Sequence, residues 1–173
     1  MGQYYRIANL DKREYLDPIQ FGDGLKLMEF ALGSSGVMSA LAVLLASSNG
    51  QGGGDLWIEN EDRWGHIPGR WCGDRIAVVG DYDDAEDSPG CGIWDEITRS
   101  EDTTPMEDLT DKLQDRPPPW KDISWDALGA LMEDEYARKE IEKNLAHRAR
   151  WDKRMPQVWE YLRPGQPMPE IKE

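Results

Sequence analysis

Gln3-Tyr4-Tyr5-Arg6-Ile7-Ala8-Asn9-Leu10, then Asp11-Lys12-Arg13-Glu14, then Tyr15-Leu16, is the stretch on which the fold turns. Aromatic and β-branched residues on both sides of a short charged run are the pattern of two strands joined by a polar turn, so a β-hairpin is expected. Further along, Arg75-Ile76-Ala77-Val78-Val79-Gly80 is a continuous apolar run flanked by glycines. A strand apolar on both faces is expected at the centre of its sheet.

Between these signals, Pro18, Gly22 and Gly24 break the chain before Leu25-Lys26-Leu27-Met28-Glu29-Phe30, whose alternation suits a short strand, with a helical turn as the alternative. Gly33-Ser34-Ser35-Gly36 offers hydroxyl caps to Val37–Ala46, a run apolar on nearly every side that reads as a buried central helix. Four glycines within residues 49–54 mark a flexible loop. From Ser124 the apolar positions Trp125, Leu128, Leu131, Met132, Tyr136, Ile141 and Leu145 recur near the helical period, and the late part is basic (Arg148, Arg150, Lys153, Arg154).

The fold class expected is therefore α+β: a small mixed or antiparallel sheet, a buried central helix and a long C-terminal amphipathic helix. Residues 1–126 form the core domain, with an acidic segment 81–115 inserted. Residues 124–154 form the amphipathic helix, packing on the core or extending from it, and 155–173 a Pro-rich tail. At 173 residues the chain is one domain's worth of polypeptide, and eight Trp and six Tyr argue against wholesale disorder.

The formal net charge of -14 disfavours direct nucleic-acid binding, since phosphate backbones repel such a chain. Most of the excess sits in residues 81–115, where 13 acidic side chains face only Arg99 and Lys112. Repulsion of that density loosens a segment unless a cation or a basic surface compensates it. The longest apolar run, Val37–Ala46, is half of the roughly 20 residues that cross a bilayer, so no membrane span is expected. The start Met1-Gly2-Gln3-Tyr4-Tyr5-Arg6 lacks the basic and apolar regions of a secretion signal. Cys72 and Cys91 are too far apart for a redox pair and too few for a disulfide framework, which points to reduced thiols and a cytoplasmic location.

Gly80-Asp81-Tyr82-Asp83-Asp84-Ala85-Glu86-Asp87 leaves the end of the second strand signal, a place where ligands collect. Asp81, Asp83, Asp84 and Asp87 could surround Mg²⁺ or Ca²⁺ with oxygen, as in a metal-dependent hydrolase. Their spacing departs from an EF-hand, with Ala85 and Glu86 at its fifth and sixth loop positions and Gly92 where its glutamate belongs. A solvated acidic turn is the alternative. Asp74 and Asp81 fail as a glycosidase pair, because an extended strand separates them by ~23 Å where ~5 to ~9.5 Å is needed. Cys72 and His66 form no recognised nucleophile and base pair, and the four-glycine loop follows a helix, unlike a phosphate cradle. Trp57, Trp64 and Trp71 lie in a Gly- and Pro-containing region, suited equally to packing over the sheet and to an exposed contact surface.

Several stretches together carry a likeness: Met1-Gly2-Gln3-Tyr4-Tyr5 with Asn9–Leu16, Phe21–Leu27, Gly69-Arg70-Trp71-Cys72-Gly73-Asp74-Arg75-Ile76 running to Gly80-Asp81-Tyr82-Asp83, and Lys121-Asp122-Ile123-Ser124. They resemble a family of small uncharacterised proteins of bacteria and fungi that open with a Gly-x-Tyr-aromatic strand and carry a Gly-Arg-Trp-x-Gly-Asp-Arg segment before a Gly-Asp-Tyr turn. The likeness spans roughly residues 1–126 and implies a shared fold without transferring a catalytic residue. It also implies that Arg70, Trp71, Asp74, Arg75, Asp81 and Tyr82 form a common structural or binding feature. An ion pair of Arg75 with Asp81, or of Asp74 with Arg70, is the architectural version of that feature.

The function expected is an acidic cytoplasmic interaction module that binds another protein with a basic surface, using the 81–115 segment and neighbouring tryptophans, with Trp64, Arg70, Trp71, Asp74, Arg75 and Tyr82 as binding residues. A Mg²⁺- or Ca²⁺-dependent enzyme on the Asp81–Asp87 cluster is one alternative. A nucleic-acid mimic that inhibits a DNA-binding protein is another.

Overall fold

A computed structural model describes residues 2–32, 36–50, 55–83, 86, 90–101 and 117–169. The hairpin forms as its alternation requires. Strands β1 (Tyr5–Asn9) and β2 (Glu14–Leu16) run antiparallel, with Ile7 opposite Leu16 and Ala8 opposite Tyr15. The turn is closed by the buried Asn9 side chain, whose Oδ1 accepts from the amides of Asp11 and Lys12 at 3.0 and 2.9 Å. A short amide acceptor two and three residues back is what fixes such a turn.

Strand β3 (Ile76–Gly80) pairs antiparallel with β1, and the two-residue β4 (Lys121–Asp122) pairs parallel with β2, giving a mixed sheet of order β3-β1-β2-β4. The apolar run at 76–80 is thus at the edge of the sheet, where a central place was expected. Its apolar residues are covered unevenly, and Val78 is 44% exposed. Ile76 packs against the main core, while Val79 lies with Ala8, Tyr15 and Trp120 around Ile97 of helix α4 (Ile93–Glu101) on the other side.

The main core lies on the face that carries Ile7 and Leu16. Leu25–Phe30 goes helical, as α1 (Leu27–Ala31), because the Glu29 carboxylate folds back to accept from the Lys26 amide and Phe30 supplies a buried anchor. Helix α2 (Val37–Leu45) buries Val37, Ala40 and Leu44 against the core and leaves Leu45 exposed. Its C-terminal carbonyls are met by the following loop, where the Gly69 and Trp71 amides donate to Val43 and Leu44. Gly69 has φ +75°, and a Cβ there would lie 2.7 Å from the Ala46 carbonyl oxygen, so only glycine makes this approach.

The periodic stretch from Ser124 forms two helices, α5 (Ser124–Leu131) and α6 (Glu135–Arg148), in place of one. Asp134 breaks it by capping α6, its Oδ1 accepting from the amides of Tyr136 and Ala137. The carbonyls left open at the end of α5 are taken by guanidinium groups, Arg138 and Arg163 both donating to Met132. The break also turns Tyr136 out into water. The one-turn α3 (Glu61–Trp64) precedes β3, and α7 (Met155–Leu162) buries Met155, Val158, Trp159 and Leu162 where the Pro-rich tail was expected to begin. Among the described residues no helix is long and apolar enough to cross a membrane.

Candidate functional site

The residues singled out between Arg70 and Arg75 meet the hairpin turn one after another. The Arg75 guanidinium pairs with Asp11 at 2.6 Å, Asp74 accepts from Lys12 and from Asn9 Nδ2, and Arg70 Nε donates to Glu14 at 2.9 Å. Glu14 also accepts from the indole N–H of Trp71 at 2.8 Å. The ion pairs expected within the segment, Arg75 with Asp81 and Asp74 with Arg70, are replaced by pairs with Asp11 and Lys12 of the hairpin turn and with Glu14 of β2. These bonds hold both Asp11 and Asp74 below the usual carboxylate range, led by Arg75 for the first and Lys12 for the second. Burial disfavours the ionised form of Glu14, but the donors Arg70 and Trp71 outweigh it and lower its pKa.

The same segment therefore commits its side chains to the fold. Trp71 is fully buried, and Trp64 sits in the core with its ring against Gly129 of α5. Tyr82 stays exposed. Asp81 uses Oδ1 to accept from the Tyr4 amide at 3.0 Å, while Asp84 and Asp87 lie outside the described residues. Among the described residues no group of three or more His, Cys, Asp or Glu is placed to hold a metal ion.

Helix α4 brings part of the acidic segment back onto the sheet. Glu96 accepts from Arg13 and from the Trp120 indole, and Glu101 accepts from Arg6 at 2.9 Å and from the Tyr15 hydroxyl at 2.7 Å. Arg6 is held between the rings of Trp94 and Tyr15, 4.6 and 5.3 Å from their centroids. Some of the negative charge counted in the sequence is thus already met by the hairpin's own arginines. Asp17 is buried beside Arg6, and loss of hydration raises its pKa in spite of that neighbour.

At the far edge of the sheet, Asp122 is exposed as a residue, yet its Oδ1 accepts from the amide of the buried Ser124 at 2.8 Å. Partial loss of hydration around that carboxyl, reinforced by the charges of Asp17 and Glu101, pushes its pKa up to about 6.

A groove of about 840 Å³ is lined by Trp57, Glu59, Glu61, Asp62, Glu133 and Arg163, among others. Its wall is fixed by the buried Glu133, which accepts from the amides of Glu59 and Asn60 and stands 3.8 Å from Arg163. Trp57 is 57% exposed at the rim, and Glu59, Glu61 and Asp62 are exposed beside it. Of the three tryptophans left open between packing and contact, two pack and one faces water. Glu59, Glu61 and Asp62 escaped the sequence reading, although a tryptophan followed at once by Glu59-Asn60-Glu61-Asp62 is a signal of an exposed indole in an acidic setting.

The chain matches no family model, no curated protein and no solved structure. The resemblance over residues 1–126 rests on its motifs alone.

Proposed function

We propose that the protein is an interaction module that binds a basic segment of another protein in the groove beside Trp57. The observation that carries this reading is the exposed indole at the rim of a concave surface walled by Glu59, Glu61 and Asp62. Covering an indole area on the order of 140 Å² at about 25 cal/mol per Å² contributes about 3.5 kcal/mol before ordering costs. The surrounding carboxylates contribute mainly speed and choice of partner: they attract a basic segment and repel an acidic one. The acidic 81–115 segment adds to the same long-range field.

The test is fluorescence anisotropy with a labelled peptide rich in Arg and Lys. Raising salt from about 0.1 M to about 1 M shortens the screening length from about 10 Å to about 3 Å, so binding should weaken steeply. Trp57→Ala should weaken it at least about tenfold, the loss typical of an interface anchor. Binding indifferent to salt, or equal in the Trp57→Ala variant, would remove the proposal.

A further inference from the structure

A second concave site lies at the opposite end of the sheet order from β3. Beside β4, Lys121, Asp122, Trp125, Asp126 and Tyr161 line a cavity of about 440 Å³. Trp125 and Tyr161 form its aromatic wall, with ring centroids 5.8 Å apart, and the Trp125 indole N–H is fixed by Gln20 Oε1 at 3.1 Å.

The acidic groups around this wall differ in how they are matched. Asp126 takes the Tyr161 hydroxyl and lies 3.7 Å from Lys121 Nζ. Asp17 and Glu101 lean on Arg6, and Asp152 is held by Arg148 and Arg154. Asp122 forms no ion pair with any described residue: it accepts from the amide and the side chain of Ser124, and the counter-charge acting on it, Arg154, lies beyond ion-pair distance. This carboxylate lines the same cavity as the Trp125 indole, and a carboxylate and an aromatic face in one cavity favour a positive group with an organic body. Tyr161 already shows that affinity, since the Arg63 guanidinium lies 5.2 Å from its ring centroid.

We propose that this cavity is a binding site for an organic cation of the guanidinium or alkylammonium type, which pairs with Asp122 and lies against Trp125. The cation enters as the counter-charge that Asp122 lacks. Its alkyl or planar body covers the aromatic wall, while Lys121 and Asp126 remain paired with each other. The site shares no lining residue with the Trp57 groove, so its failure leaves the proposed function standing, and the converse also holds.

The protein is titrated with n-butylguanidinium and n-butylammonium as free cations, with a blocked arginine amide as the side-chain source, and with n-butanol as the neutral control. Binding is followed by NMR shifts of the Trp125 indole N–H and of the Lys121 and Asp122 amides, the latter serving for the Trp125 variant. A ligand of this size with one ion pair and one ring contact should bind with a dissociation constant of about 1 mM. Tighter binding of n-butylguanidinium than of the blocked amide, both single cations, assigns the site to a free cation, and the reverse assigns it to an arginine side chain. Asp122→Asn keeps the acceptor for Ser124 and should weaken binding at least about tenfold, and Trp125→Leu should do the same. Chemical shifts across α2 and α5 report whether each variant keeps the fold. Binding of n-butanol equal to that of n-butylammonium, an unchanged constant in a folded Asp122→Asn protein, or no shift with any cation overturns the proposal.

Discussion

Truncating Glu14 to alanine tests whether the bonds between the hairpin and the 70–75 loop hold the two together. The substitution leaves the Trp71 indole N–H without its acceptor at 2.8 Å, in a side chain that is 0% exposed. An orphaned donor in such a place costs about 1–3 kcal/mol. It also removes the charge-assisted bonds from Arg70, whose side chain is 27% exposed, so water recovers much of that loss and about 1 kcal/mol remains. The expected destabilisation is about 2–4 kcal/mol, which for a chain of this length lowers the melting temperature by about 5–12 °C. Glu14→Gln retains an acceptor for Trp71 and gives up only the ionic part, so it should lose about half as much. Urea unfolding followed by tryptophan fluorescence and circular dichroism measures both variants under one slope. A loss below about 1 kcal/mol for alanine, or equal losses for the two variants, would refute the assignment of Trp71 as the deciding donor.

Asp122 has a folded-state pKa of about 6 against 3.8 for the free side chain, so the folded protein holds a proton between those values that the unfolded chain has released. Stability should therefore fall as pH rises through that window, and Asp122→Asn should raise the melting temperature at pH above about 6 but not near pH 4; a uniform shift across pH would contradict this. Gly129→Ala brings a methyl group to 2.5 Å from the Trp64 ring, and its overpacking should destabilise by about 1–3 kcal/mol in chemical unfolding, more than the helix gain of about 1 kcal/mol returns. Asp134→Ala removes the cap of α6 and should cost about 1 kcal/mol, with early amide exchange at Tyr136 and Ala137 as the local signature.

The hairpin was legible in the sequence because both of its determinants are local: side chains that alternate and a turn closed by Asn9. The edge position of β3 was not. Ile76 touches the core and Val79 lies against Ile97, while the equally apolar Val78 is exposed, so the run carries no information about whether a further strand pairs alongside. Likewise Leu25–Phe30 alternates like a strand, and the deciding interaction is a single return of Glu29 to the Lys26 amide. At the candidate sites the residue types were readable but their partners were not. Arg70, Asp74 and Arg75 looked self-sufficient within their own segment, yet they bond to Glu14, Lys12 and Asp11, about 60 positions away. Trp57 could be told from Trp64 and Trp71 only once Gly129 and Glu14 were seen to receive the other two rings.

The parallel pairing of β2 with β4 joins Glu14 and Tyr15 to Lys121 and Asp122. During synthesis the first three strands can assemble as soon as residue 80 leaves the ribosome, but β2 keeps one bare flank until some forty further residues have emerged. Over that interval the nascent chain presents a short row of amides and carbonyls without their strand partner.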